Sequence, residues 1–101
     1  MACAATYKIT SSWSGSFQAD VAVRNSGSTA IKGWTVAWAF PDGQTITQIW
    51  NGTHTQTGAN VSVKNVSWNG GLAAGGSASF GFIATLNGAN GVPASVTCTP
   101  A

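Results

Sequence analysis

Gly33-Trp34-Thr35-Val36-Ala37-Trp38-Ala39-Phe40 alternates large side chains with small ones. Trp34, Val36, Trp38 and Phe40 share one parity; Thr35, Ala37 and Ala39 share the other. A period of two is that of a β-strand, whose successive side chains point to opposite faces. Two tryptophans and a phenylalanine on one face predict a core ridge. Gly33 opens the stretch, and Pro41-Asp42-Gly43 closes it with turn residues. Working outward, Phe17, Ala19, Val21 and Val23 alternate with Gln18, Asp20, Ala22 and Arg24, which predicts a second half-buried strand. Ala5 to Ile9 reads as a weak edge strand, and Ser11 to Ser16 as a turn or bend. Thr45 to Trp50 reads as a strand of mixed parity, broken by Asn51-Gly52. Val61 with Val63, and Phe80 with Phe82, mark two more strands. Trp68 to Gly71 is a corner, 87–93 a long turn, and Ser95 to Cys98 the closing strand. No stretch sustains a helical period. The expected fold class is all-β, an antiparallel β-sandwich of Ig-like architecture, as a single domain over 1–101.

Composition narrows the function. Charged residues are only 6% of the chain, the only acids are Asp20 and Asp42, and the formal charge is +2. Lys8, Arg24, Lys32 and Lys64 are scattered rather than clustered, which argues against nucleic acid and anionic membranes as partners. A near-neutral surface suits an uncharged, extended partner, where electrostatic steering gains little. No segment approaches a membrane span. Cys3 and Cys98 lie at the two ends and read as a disulfide joining the first and last strands, the alternative being two buried thiols. A bridge closing so long a loop stabilises a fold by about 4–5 kcal/mol in the chain-entropy account. It implies an oxidising compartment and hence a secreted protein. Met1 is followed at once by Ala2-Cys3, with no leader pattern, so it reads as an added start on a piece of a longer chain.

Trp34 and Trp38 are explained by the core; Trp13, Trp50 and Trp68 are not. Those three sit among Ser, Gly, Asn and Thr, and Trp50-Asn51-Gly52 and Trp68-Asn69-Gly70 share a pattern of tryptophan followed by an Asn-Gly turn signal. Caps on the ends of the core are one account of them. Five indoles inside 101 residues would crowd out the aliphatic core, which favours exposure. Exposed tryptophans invite association and make sense where they meet a partner. A flat apolar ring with a polar N–H edge suits the C–H face of a pyranose sugar. Ser14, Gln48, Asn51, Asn69 and Asp20 are candidate polar neighbours. Gln48 shares parity with Trp50, but so does Ile46, which leaves that strand face open.

Catalysis has little to work with. Asp20 is mid-strand and Asp42 lies in a turn, whereas glycoside hydrolysis needs two facing carboxylates. His54 is the only histidine, so neither a catalytic triad nor a metal cluster can be assembled. Two separated aspartates make a poor calcium site. No enzyme activity, cofactor or metal is expected. A secreted β-sandwich binding a protein or small ligand through exposed aromatics is the competing class.

The whole chain resembles a family 2 carbohydrate-binding module of bacterial secreted polysaccharide-degrading enzymes. The resemblance rests on Cys3 and Cys98, Ser12-Trp13-Ser14-Gly15-Ser16-Phe17, Val23-Arg24-Asn25, Gly33-Trp34-Thr35-Val36, Phe40-Pro41, Trp50-Asn51, Trp68-Asn69-Gly70, and Gly75-Gly76 leading to Phe80-Gly81-Phe82. It implies a jelly-roll-like sandwich of about nine strands and a flat platform of three surface tryptophans at Trp13, Trp50 and Trp68. It also implies insoluble cellulose as partner, with chitin as a second ligand, and a catalytic domain tethered to a monomeric module. The related xylan-binding subtype tends to lack the middle tryptophan and its loop and carries an arginine shortly after the first one. Here the loop from Trp50 to Asn60 is present and no arginine stands near Ser16, which favours cellulose over xylan. Asp20 falls where cellulose-binding members often carry an amide.

Overall fold

The computed structural model describes residues 2–86 and 88–100. These form eight strands: β1 (Cys3–Trp13), β2 (Ser16–Asn25), β3 (Trp34–Ala39), β4 (Thr45–Trp50), β5 (Gly52–Thr57), β6 (Asn60–Asn65), β7 (Ser77–Thr85) and β8 (Val96–Pro100). They make two four-stranded sheets, ordered β1-β2-β7-β4 and β5-β6-β3-β8, and every pairing is antiparallel. The expected sandwich is present, and no helix occurs among the described residues.

β3 forms the ridge its alternation predicts. Trp34, Val36 and Trp38 point inward and are buried, as is Phe40 just past the strand. Phe17, Ala19, Val21 and Val23 of β2 and Phe80, Phe82 and Ala84 of β7 close on them from the other sheet. Trp34 stacks on Phe80 and Trp38 on Phe82, each with ring centroids 5.6 Å apart. Phe17 meets Phe40 edge-on. Such pairs add about 0.5–1.5 kcal/mol each beyond the area they bury.

Both open sides of the sandwich are fastened. On one, the Cys3–Cys98 disulfide ties β1 to β8 across a Cα–Cα distance of 5.6 Å. On the other, the Gln56 amide of β5 reaches across to β4. Its Nε2 donates to the Gln44 carbonyl at 2.9 Å and its Oε1 accepts from the Ile46 N–H at 3.0 Å. That satisfies backbone groups which an edge strand leaves bare.

Three expectations need correction. Among the described residues the strands number eight, not about nine; Ile31 and Leu72 meet in an isolated bridge outside them. The stretch expected as a loop from Trp50 to Asn60 is largely strand β5, paired along its length with β6. Its inward residues are Gly52, His54 and Gln56, half-buried at an edge, so it carries no apolar alternation to read. Third, the expected turn over Ser11 to Ser16 narrows to Ser14-Gly15, with Gly15 at φ 83°, because β1 stays paired with β2 as far as Trp13. The expected turn over 87–93 begins on Asn87, which lies outside the described residues, as does Met1.

Candidate functional site: a tryptophan face on the first sheet

The strand register places the outward side chains of the first sheet in rows across it. Trp13, Ser16, Thr85 and Thr45 form one row; Ser11, Gln18, Ile83 and Gln48 form the next; Lys8, Asp20, Gly81 and Trp50 form the third. Trp13 and Trp50 thus stand on the same face, on its two edge strands. The row between them presents two glutamine amides flanking Ile83.

By residue number alone, neither tryptophan belongs there. Ile9 and Trp13 share parity on β1, and Ile9 points into the core; Ile46 and Trp50 share parity on β4, and Ile46 is buried. In each strand the register shifts once, between Ile9 and Ser11 and between Ile46 and Gln48. Each shift is a β-bulge, in which one extra residue turns everything beyond it to the other face. The extra residues are Thr10 and Thr47. The Thr10 hydroxyl donates to the Gln18 carbonyl at 3.3 Å, and the Thr47 hydroxyl donates to the Ile83 carbonyl at 3.1 Å. Gln18 and Ile83 are themselves cross-strand partners. The bulges therefore lie in one row, at its two ends, and each sends a tryptophan outward.

Exposure follows this geometry. Trp13 is 48%, Trp50 37% and Trp68 70% accessible, against 1% for Trp34 and 5% for Trp38. Trp68 comes from the turn after β6 rather than from the first sheet. It borders a notch of about 340 Å³ that also takes in Asn51, Leu72, Ser77 and Ser79, the two serines being outward residues of β7.

Asparagines hold the turns that carry Trp50 and Trp68. Asn51 has a left-handed backbone, φ 63°, a conformation asparagine tolerates better than most residues. It lets the chain leave β4 and enter β5 of the opposite sheet with Gly52 packed so closely that a Cβ there would come within 2.7 Å of Val63 Cγ1. The Asn-Gly pair is thus a crossing between sheets, not a hairpin. Asn69 is buried. Its Nδ2 donates to the Asn51 carbonyl at 2.7 Å and its Oδ1 accepts from the Val66 N–H at 2.8 Å, while its own carbonyl accepts from Trp34 Nε1 at 2.9 Å. Asn65 Oδ1 accepts from the Trp34 N–H at 2.9 Å. The core tryptophan and the two surface turns form one hydrogen-bonded assembly.

Of the polar residues singled out from sequence, Gln48 and Asp20 are exposed on the tryptophan face, and Asn51 and Ser14 are exposed beside it. Asn69 is drawn inward and holds the turns together. Gln18, Ile83 and Gly81 were not singled out. Alternation with Phe17 and Ala19 was enough to place Gln18, and a glycine inside the Phe80-Gly81-Phe82 run signals a close approach to its backbone. Asp42 lies away from this face, its carboxylate accepting from the Gly91 N–H at 2.6 Å. Among the described residues no three His, Cys, Asp or Glu side chains gather.

The family model described as cellulose binding domain matches residues 3–101. The chain is a family 2 carbohydrate-binding module. This module is 53% identical to endoglucanase A of Thermobispora bispora over 97% of its own length, and 46% identical to exoglucanase A of Cellulomonas fimi over 86%. It spans only 21% and 10% of those two relatives. Among solved structures, it superposes on the cellulose-binding family 2 domain of ScLPMO10C with a TM-score of 0.76 at 38% identity, covering 98% of this chain and 96% of that one. The chitin-binding domain of Chi18aC from Streptomyces coelicolor gives a TM-score of 0.74 at 39% identity, covering 93% and 89%.

Proposed function

We propose that this module, single over 1–101, is a non-catalytic anchor that adsorbs to crystalline cellulose, with chitin as a second ligand. It acts as a monomer outside the cell and holds a tethered polysaccharide-degrading enzyme at the solid surface. The observation that carries this reading is the division of the tryptophans: two are sealed in the core, and three stand exposed, Trp13 and Trp50 on one face of the first sheet and Trp68 on the turn after β6.

Trp13, Trp50 and Trp68 lie against sugar rings of a flat crystal face. Expulsion of water from two apolar surfaces drives the contact. Gln48, Asn51 and Asp20 meet hydroxyls at the rim, while Asn69 sets the positions of Trp50 and Trp68 from beneath. Held on paired strands, Trp13 and Trp50 lose little freedom on binding, and the Asn69 hydrogen bonds hold the turn that carries Trp68, so little of the contact energy is offset by ordering.

Depletion from solution by microcrystalline cellulose at high salt is the test, with insoluble chitin, xylan and starch in parallel. Salt suppresses charge-driven adsorption and leaves apolar contact intact. Strong depletion by cellulose is expected, and each single Trp→Ala variant at the three positions should cost roughly 1–3 kcal/mol, as for an interface anchor. A folded triple Trp→Ala variant that still adsorbs normally would sink the reading. Depletion by xylan alone would mean a xylan module, and depletion by none would favour a protein- or small-ligand-binding sandwich.

A further inference from the structure

Gly81 faces outward from the middle of β7, yet it is buried. Its backbone is ordinary strand, with no positive φ, so the conformation makes no demand for glycine. Glycine weakens a strand interior, so its place here needs another reason. The reason is Trp50, its cross-strand partner on β4. A Cβ on Gly81 would lie 2.5 Å from Trp50 Cζ2 and 2.6 Å from Cε2 and Nε1. Those three consecutive atoms are the nitrogen edge of the indole, which overhangs the glycine. A neighbour at that distance forces something to move, and the ring of an edge-strand residue is what has freedom to move.

We infer that Gly81 is the seat of Trp50: the missing side chain lets the indole lie down on the sheet, and any side chain there props it up. Gly81 is a positioning residue, acting on the polysaccharide only through the ring it accommodates. The seat makes the module specific for flat, insoluble polymer, because a propped ring stands out of the surface shared with Trp13 and Trp68. This inference rests on the proposed cellulose face.

The test uses the Gly81→Ala, Trp50→Ala and Trp50→Ala/Gly81→Ala variants, with Trp13→Ala as a control for the face itself. Gly81→Ala is expected to fold with its disulfide formed and to lose the nuclear Overhauser contacts between the Trp50 indole and residue 81. Its affinity for microcrystalline cellulose should fall by about tenfold. In the Trp50→Ala background the same glycine substitution should change affinity no further, because the ring it displaces is gone. If Gly81→Ala fails to fold while the double variant folds, the clash with the indole is the cause and the seat stands. The inference is overturned if Gly81→Ala binds like the parent, if it weakens binding equally without Trp50, or if the double variant also fails to fold. Loss of binding in Gly81→Ala but not in Trp13→Ala would point instead to a failure of the three-tryptophan face.

Discussion

Asn69 uses its whole amide inside the protein, and its effect on the surface is indirect. Replacing it with Ala removes the part-buried hydrogen bonds to the Val66 N–H and the Asn51 carbonyl, a loss of about 0.5–1.5 kcal/mol each. Urea denaturation should register that loss, and cellulose depletion should fall with it, because the Trp50 and Trp68 turns are no longer joined. Gln48→Ala should behave in the opposite way, lowering adsorption while leaving the urea midpoint in place. Tyr7 allows a pH prediction at the same scale. Burial pushes its phenol well above the ordinary value, because the fold favours the neutral form. The unfolded chain ionises near the ordinary value of about 10, so stability is full below that pH and falls as pH climbs above it. Urea midpoints measured from pH 8 to 11 should show this decline, and Tyr7→Phe should flatten it. Tyr7 is the only tyrosine, so tyrosinate absorbance reports its ionisation directly.

Among the elements, β1 and β4 show where reading a sequence stops. The alternation in β3 made Trp34 and Trp38 legible as core, since a period of two holds for as long as pairing is regular. Trp13 and Trp50 were legible as exceptions through their polar surroundings, but their face was not, because the bulged residues Thr10 and Thr47 are ordinary strand formers that announce no irregularity. The ambiguity between Ile46 and Gln48 is resolved by the bulge lying between them. β5 was missed for a different reason: its three threonines face solvent and its inward side chains are glycine, histidine and glutamine, so edge pairing rather than burial makes the strand. A deletion tests the role of the bulge. Removing Thr47 takes out the extra residue and leaves Ile46, Gln48 and Trp50 opposite Ala84, Ile83 and Gly81, so the strand becomes regular and Trp50 keeps its outward face. The expected outcome is an indole still open to acrylamide quenching and cellulose adsorption retained; an indole newly shielded would mean that the pairing had slipped instead.

For the molecule as a whole, the core, the bridge and the tryptophan face have separate sources. The core comes from alternation, the bridge from two cysteines 95 residues apart, and the face from bulges and turns. Reducing the disulfide should therefore lower stability by about 4–5 kcal/mol in guanidinium titrations, while cellulose affinity per folded molecule stays unchanged. The same bridge has a mechanical consequence. Cys3 and Cys98 belong to strands at one side of the sandwich, on different sheets, and their Cα atoms are 5.6 Å apart. A pull between neighbours attached at the two ends would pass through one covalent link and leave the hydrogen-bonded ladders unloaded. With the link reduced, the same tension would peel β1 from β2 and β8 from β3. Oxidised, the module behaves under tension as a short inextensible knot rather than as a spring.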